Sequence, residues 1–346
     1  MAQRKLEVIF LGDAGGLKTT TDEVAGKLDG LGGKLGSLGK AAAVGFAAVG
    51  AAGVGAAAGL FKVGQSFDAA FDTIAIGTGE TGKNLEGLEE SFKRVFTSVP
   101  TDMGSAATAI ADLNTRTGAS GEALEMLSKQ MLEMTRITGG DLSSNIQSVT
   151  RLMGDWGIAA NEDGVDAMDK LFVASQATGI GIDTLANQMV QFGAPLRQLG
   201  FGFETSAALL AKFEKEGVNA ELVMGSLRIA LGKMARDGEP AEETLARTVE
   251  QIKNAGSVSE ANALALELFG ARAGPDMAAA IREGRFAVDD LVAMMNDSAG
   301  AIEDNAARTE DFGQKWQLFK NRALTAFEPV ATKVFSLAGV LMDKAA

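Results

Sequence analysis

Between residues 102 and 330 the apolar residues recur three and four positions apart in short runs, and each run stops at a Gly-containing turn. Leu124, Leu127, Met131 and Met134 form one run, and Leu185, Met189 and Phe192 a second. Leu227, Leu231 and Met234 form a third, with Leu245, Val249 and Ile252 a shorter fourth. A helix turns every 3.6 residues, so this spacing puts each run on one helical face. The every-second-residue alternation of a half-buried strand is absent. Connections such as Thr138-Gly139-Gly140-Asp141 and Leu199-Gly200-Phe201-Gly202 are short turns between neighbouring helices. The fold class is therefore all-α, with residues 63–310 forming a multi-helix core of short amphipathic helices. Thr117-Gly118-Ala119-Ser120 is expected to open one helix and Thr178-Gly179-Ile180-Gly181 another, with Asp183 capping the latter. Asp237-Gly238-Glu239-Pro240 marks the clearest internal boundary, because Pro is excluded from a helix interior. Thr117-Gly118, Glu122 and Leu124 also match Thr178-Gly179, Asp183 and Leu185 at one fixed offset, a faint internal repeat.

The flanks read differently. Residues 1–16 form a short strand or extended arm around Leu6-Glu7-Val8-Ile9-Phe10-Leu11. Residues 17–62 are a Gly/Ala-rich helical segment, coiled-coil or hairpin-like. Val24, Leu28, Leu31, Leu35 and Leu38 follow the 4-3-4-3 spacing of a coiled-coil seam. Gly26, Gly30, Gly32, Gly33, Gly36 and Gly39 lie among them, each costing about 1 kcal/mol of helix propensity against Ala. Such a helix needs a second helix, or a second copy of the chain, to pack against. Residues 41–61 carry no charge and would span roughly 30 Å as a helix, about one hydrocarbon core. Gly55 and Gly59 supply a GxxxG face for close helix approach. Because Ala and Gly dominate, a buried packing helix is the preferred reading of 41–61. A membrane-inserting or pore-type helix is the alternative. In residues 311–346, Phe312, Trp316, Phe319, Ala323, Ala326, Val330, Val334, Leu337 and Leu341 continue one stripe along a long amphipathic helix. Pro329 is expected to kink or split it. Phe312, Trp316 and Phe319 are the candidate interface residues.

Composition removes most chemistry. The chain has no Cys and no His, so disulfides, thiol and imidazole catalysis and the usual zinc ligands are out. No cofactor and no metal are expected. A net charge of −13 opposes direct nucleic-acid binding and attraction to anionic membranes. Gly77-Thr78-Gly79-Glu80-Thr81-Gly82-Lys83-Asn84 fits a phosphate-binding GxxxxGK loop through Gly77, Gly82 and Lys83, and Phe71 to Ile76 ahead of it could be a strand. Asn84 stands where a Ser or Thr hydroxyl should hold Mg²⁺, so the segment is read as a Gly-rich turn, with a nucleotide-binding switch as the lesser reading. Ser120 has no His to activate it and belongs to a helix N-terminus. Trp156 is a core or interface anchor.

The order of these turns and stripes resembles phage tail tape-measure proteins over about residues 60–330. The resemblance rests on the Gly118 and Gly179 turns and on Phe192-Gly193-Ala194-Pro195-Leu196-Arg197-Gln198-Leu199-Gly200. It also rests on Gly225-Ser226-Leu227-Arg228-Ile229-Ala230-Leu231 and Leu268-Phe269-Gly270-Ala271-Arg272-Ala273. It implies a non-enzymatic structural protein, made in the host cytoplasm and placed in the tail lumen of a phage or prophage particle, that templates tube assembly and sets its length. The implied partners are tail-tube subunits, tail assembly chaperones and tail-tip proteins; homo-oligomerisation is expected from the Gly-rich packing segment, and a conditional membrane contact from residues 41–61. A wholly helical chain of 346 residues reaches only about 520 Å. The chain is thus expected to be a piece of a longer ruler, or to serve a short or degenerate tail.

Overall fold

The computed structural model describes residues 53–345, apart from residue 286. Fourteen helices and no strand lie among the described residues. In chain order they are α1 (Gly53–Thr78), α2 (Gly82–Phe96), α3 (Met103–Thr117), α4 (Gly121–Thr138), α5 (Leu142–Trp156), α6 (Glu162–Thr178) and α7 (Ile182–Gln198). There follow α8 (Phe203–Lys215), α9 (Ala220–Asp237), α10 (Ala241–Lys253), α11 (Val258–Arg282), α12 (Asp289–Asn296), α13 (Ala301–Arg308) and α14 (Phe312–Ala345). The stripes read from sequence face inward: Leu124, Leu127, Met131, Met134, Leu185, Met189, Phe192, Leu227 and Met234 are all buried, while Leu231 is half-buried.

One turn recurs. In Thr78-Gly79, Thr117-Gly118, Thr138-Gly139 and Thr178-Gly179 the Thr is the last helical residue. Its hydroxyl donates to the carbonyl four residues back, on Ile74, Leu113, Met134 and Ala174. The Gly that follows is left-handed, with φ between 70° and 82°. A left-handed Gly just past a helix lets its N–H return to the last carbonyls. The Gly118 N–H accordingly reaches the Asn114 carbonyl, and that of Gly179 the Ser175 carbonyl. Gly118 and Gly179 close the helix before them, and the next helix starts three residues later, after Ser120 and Gly181, so the expected openings stand directly ahead of α4 and α7. The cap of α7 is Gly181, not Asp183, which sits in the first turn where a negative charge suits the helix dipole. Phe192 to Gln198, in one of the segments that carry the resemblance, is the end of α7, with Pro195 inside it.

The described residues fall into two compact units, Phe71–Leu318 and a smaller one whose described part is 53–70 and 319–345. In the larger unit α3, α4 and α5 pack on one another, as do α6, α7 and α8, and again α9, α10 and α11. The triads join where α5 meets α7, α4 meets α6 and α7 meets α9. α4 and α7 begin at residues 121 and 182, α5 and α8 at 142 and 203, both 61 residues apart. The bond that spans the turn keeps this offset: Asn114 Nδ2 donates to the Ala119 carbonyl (2.9 Å), and Ser175 Oγ to the Ile180 carbonyl (2.6 Å). The faint sequence repeat thus corresponds to a repeated helix triad. At Asp237-Gly238-Glu239-Pro240 one finds a helix end within the third triad, with Gly238 left-handed.

α11 is bent. Gly270 (φ 77°, ψ 171°) breaks the helical path, and the second limb folds back so that Gly274 lies on the first. A Cβ at Gly274 would stand 2.9 Å from the Leu266 Cα and 2.9 Å from its nitrogen. In the smaller unit, Gly64 of α1 meets α14 as closely: a Cβ there would run into the Ala331 carbonyl oxygen. The Phe61 and Phe335 rings pack beside it at 5.1 Å. α14 runs through Pro329 as one helix and is not split there.

Side-chain caps make the larger unit sensitive to acid. Asp102 accepts from the Ser105 N–H (2.9 Å) and hydroxyl (2.7 Å), and these bonds outweigh burial and hold its carboxyl below the ordinary value. The Ser144 N–H and hydroxyl lower Asp141 in the same way. Burial opposes the Glu204 charge, but Lys170, 2.6 Å away, outweighs it and lowers that carboxyl too. A lowered folded pKa means stability that is present above the unfolded value of about 4 and lost as pH falls through the folded value. Urea midpoints are therefore expected to drop steeply below about pH 4. Asp102→Asn with Asp141→Asn, which keeps a capping oxygen, should flatten that drop. An unchanged slope would remove these carboxylates from the account.

Candidate assembly interface

α14 starts with a reciprocal cap. Asp311 Oδ1 accepts from the Gln314 N–H (2.9 Å), and Gln314 Oε1 from the Asp311 N–H (3.0 Å). The cap fixes the rotation of the first turn. Phe312 is then 82 % exposed and Trp316, one turn on, 51 % exposed. Phe319 is half-buried, and Gln317 Nε2 donates to the Thr101 carbonyl at 3.3 Å. Phe312 and Trp316 thus lie at i and i+4 with exposed ring surface, and aromatic residues of this kind are enriched at binding hot spots.

Other apolar side chains outside the core escaped the sequence reading: Ile76, Ile229 and Val258 are all strongly exposed. Ile229 did carry a signal, since it falls out of phase with Leu227, Leu231 and Met234. Beside it a groove of about 540 Å³ runs between α7 and α9, lined by Ala194, Pro195, Leu231, Gly232 and Ala235. Arg228 at its rim donates to the Gln191 carbonyl (3.0 Å) and lies over the Phe192 ring.

Trp156 is held within the fold. Its ring meets Phe203 edge-on at 5.6 Å, the Arg197 guanidinium lies 4.7 Å from its centroid, and Arg197 pairs with Asp155 at 3.0 Å. Gly193 permits this arrangement, because a Cβ there would stand 2.7 Å from Asp155 Oδ2 and 3.1 Å from Trp156 Nε1.

The GxxxxGK segment is the Thr78-Gly79 turn between α1 and α2. Phe71 to Ile76 is helical, not a strand, and its buried Ile74 continues the helical spacing of Phe67 and Ala70. The Gly79 N–H is committed to the Ala75 carbonyl, and Asn84 donates to Glu80 at 2.9 Å. Thr81 caps α2, as Ser120 caps α4, neither through its side chain. The left-handed Gly82 repeats the role of Gly121. Gly77, Gly82 and Lys83 thus sit in a helix–turn–helix connection without the strand that aims a phosphate loop at its ligand.

The seam Val24, Leu28, Leu31, Leu35 and Leu38 lies outside the described residues. Gly55 falls in α1, with its surroundings outside them as well. Nothing among the described residues comes within 4 Å of a Cβ at Gly59, whereas Gly64 makes the close approach. Among the described residues no helix is long and apolar enough to cross a membrane.

A family model for phage-related minor tail proteins matches residues 97–320. No curated protein and no solved structure matches the chain. The matched span runs from the end of α2 into α14, taking in the three triads, α12 and α13, and the exposed pair Phe312 and Trp316. It covers well over half of the sequence, and the chain belongs to the phage-related minor tail protein family.

Proposed function

We propose that this tail protein acts as a tape measure, templating polymerisation of the tail tube and setting its length. The observation that carries the reading is α14. It is a helix of 34 residues with one apolar stripe, about 50 Å long, following a compact array of helix triads. In this reading the triads supply the folded core and the stripe of α14 the surface for assembly. The stripe from Phe312 through Phe319 and Val334 meets a second copy of the chain or the inner wall of the tube. Tail-tube subunits, assembly chaperones and tail-tip proteins are the proposed partners, and the tail lumen the proposed location. The role is structural and not catalytic, consistent with a sequence without Cys or His.

The reading is tested by length. Whole heptads inserted after Leu341 keep the stripe on one face. Each should lengthen the tail by roughly 10 Å in electron micrographs if the helix lies along the tube axis. Tails of constant length after several added heptads would overturn the ruler and leave only the structural role.

A further inference from the structure

Between the third triad and α14 the chain turns back across the first two triads. α12 packs on α6 and α8, and α13 on α4 and α6. Each is a helix of eight residues, too short to persist alone in water. What holds them is unusual in kind. Most of the polar grips are on main-chain atoms of the returning segment. Lys212 of α8 donates to the Ala287 carbonyl, and to that of Gly284 just ahead of it. Asp169 of α6 accepts from the Gly300 N–H (2.8 Å) and the Ile302 N–H (3.0 Å), while Gln130 of α4 donates to it at 2.7 Å. Arg136 of α4 donates to the Ala306 carbonyl at the far end of α13 (3.2 Å), and Gln176 reaches Asn305. An anion therefore sits at the N-terminus of α13 and a cation near its C-terminus, each matching the helix dipole.

We propose that residues 287–309 are a releasable strap and that Asp169 is its catch. The apolar seat is small: Val288, Leu291, Met295, Ile302 and Ala306 are the strap's buried apolar side chains. The catch is a carboxylate buried to 2 % exposure, and burial opposes its charge. The Ser298 hydroxyl, buried at the joint between the two helices, has no partner there. Docking thus has charge and hydroxyl desolvation set against it, and the two short helices dock or melt together. Release would free 23 residues, which extend to about 80 Å, without disturbing the triads. The device rests on the geometry of the larger unit and stands whether or not the chain measures length.

Hydrogen exchange of the full chain across a urea series tests it. In the wild type, amides of 289–308 should exchange by an opening at least tenfold more frequent than that of α4 and α6. Asp169→Asn turns an N–H donor toward the Gly300 N–H and should raise strap exchange at least another tenfold, with α3 and α5 unchanged. Asp166→Asn, on the same helix, should leave the strap as it was. The chain has no Cys, so Gln176→Cys with Asn305→Cys, joined by a short thiol cross-linker, should suppress the opening. A strap that exchanges in step with α4 and α6 at every urea concentration would overturn the proposal. That wild-type comparison decides the matter even where Asp169→Asn does not fold.

Discussion

Gly274→Leu is expected to lower the melting temperature of the larger unit by roughly 6–12 °C, corresponding to about 3 kcal/mol in a unit of this size. The reason is the bend in α11. Beyond Gly270 the second limb returns onto the first with backbone against backbone at Leu266, and no side chain can rotate out of the way. Gly270→Ala should cost about 1–3 kcal/mol for a different reason, because φ 77° with ψ 171° is a conformation that only Gly adopts without strain. Two helical glycines nearby give the opposite sign. A Cβ at Gly225 or Gly232 meets nothing within 4 Å, so Ala there should stabilise by about 0.5–1 kcal/mol. Thermal melts of the four single variants read both effects directly. A neutral Gly274→Leu would mean that α11 is not folded back.

The contrast shows where the sequence was legible. Leu124, Leu127, Met131 and Met134 announce a buried helix face because period and burial are the same physical fact. Thr117-Gly118 and Thr178-Gly179 announce a helix boundary, and the left-handed Gly closes the helix before it, three residues ahead of the next start. The roles of Gly64 and Gly274 are set by which helix lies opposite them, which no local pattern encodes. Gly55 and Gly59 fitted a motif, yet the described contact is one turn further on, at Gly64. The strap was the least legible element, since Asp169, Lys212 and Arg136 bind main-chain atoms more than a hundred or some seventy residues away. Such atoms carry no residue identity and leave no trace in composition. Phe312 and Trp316 stood out for the converse reason: they extend a stripe past the point where the fold covers it.

That exposure leads to the second large effect. Phe312→Ser should leave the stability of the isolated chain within about 0.5 kcal/mol, because the ring is 82 % in water and its removal opens no cavity. Tail assembly should fall by about thirtyfold, the equilibrium equivalent of losing an aromatic anchor worth roughly 2 kcal/mol. Trp316→Ser should impair assembly as much but also lower stability, since that ring is half-covered by its own fold. Ile76→Ser supplies the control. Ile76 is equally exposed but belongs to α1 and not to the α14 stripe, so its loss should change neither quantity. Urea unfolding of the purified chains and counts of completed tails in a complementation assay separate the two readouts. Normal tail yield from Phe312→Ser would take the start of α14 out of the assembly interface. Equal failure of Ile76→Ser would show instead that exposed apolar surface in general, not this stripe, drives the association.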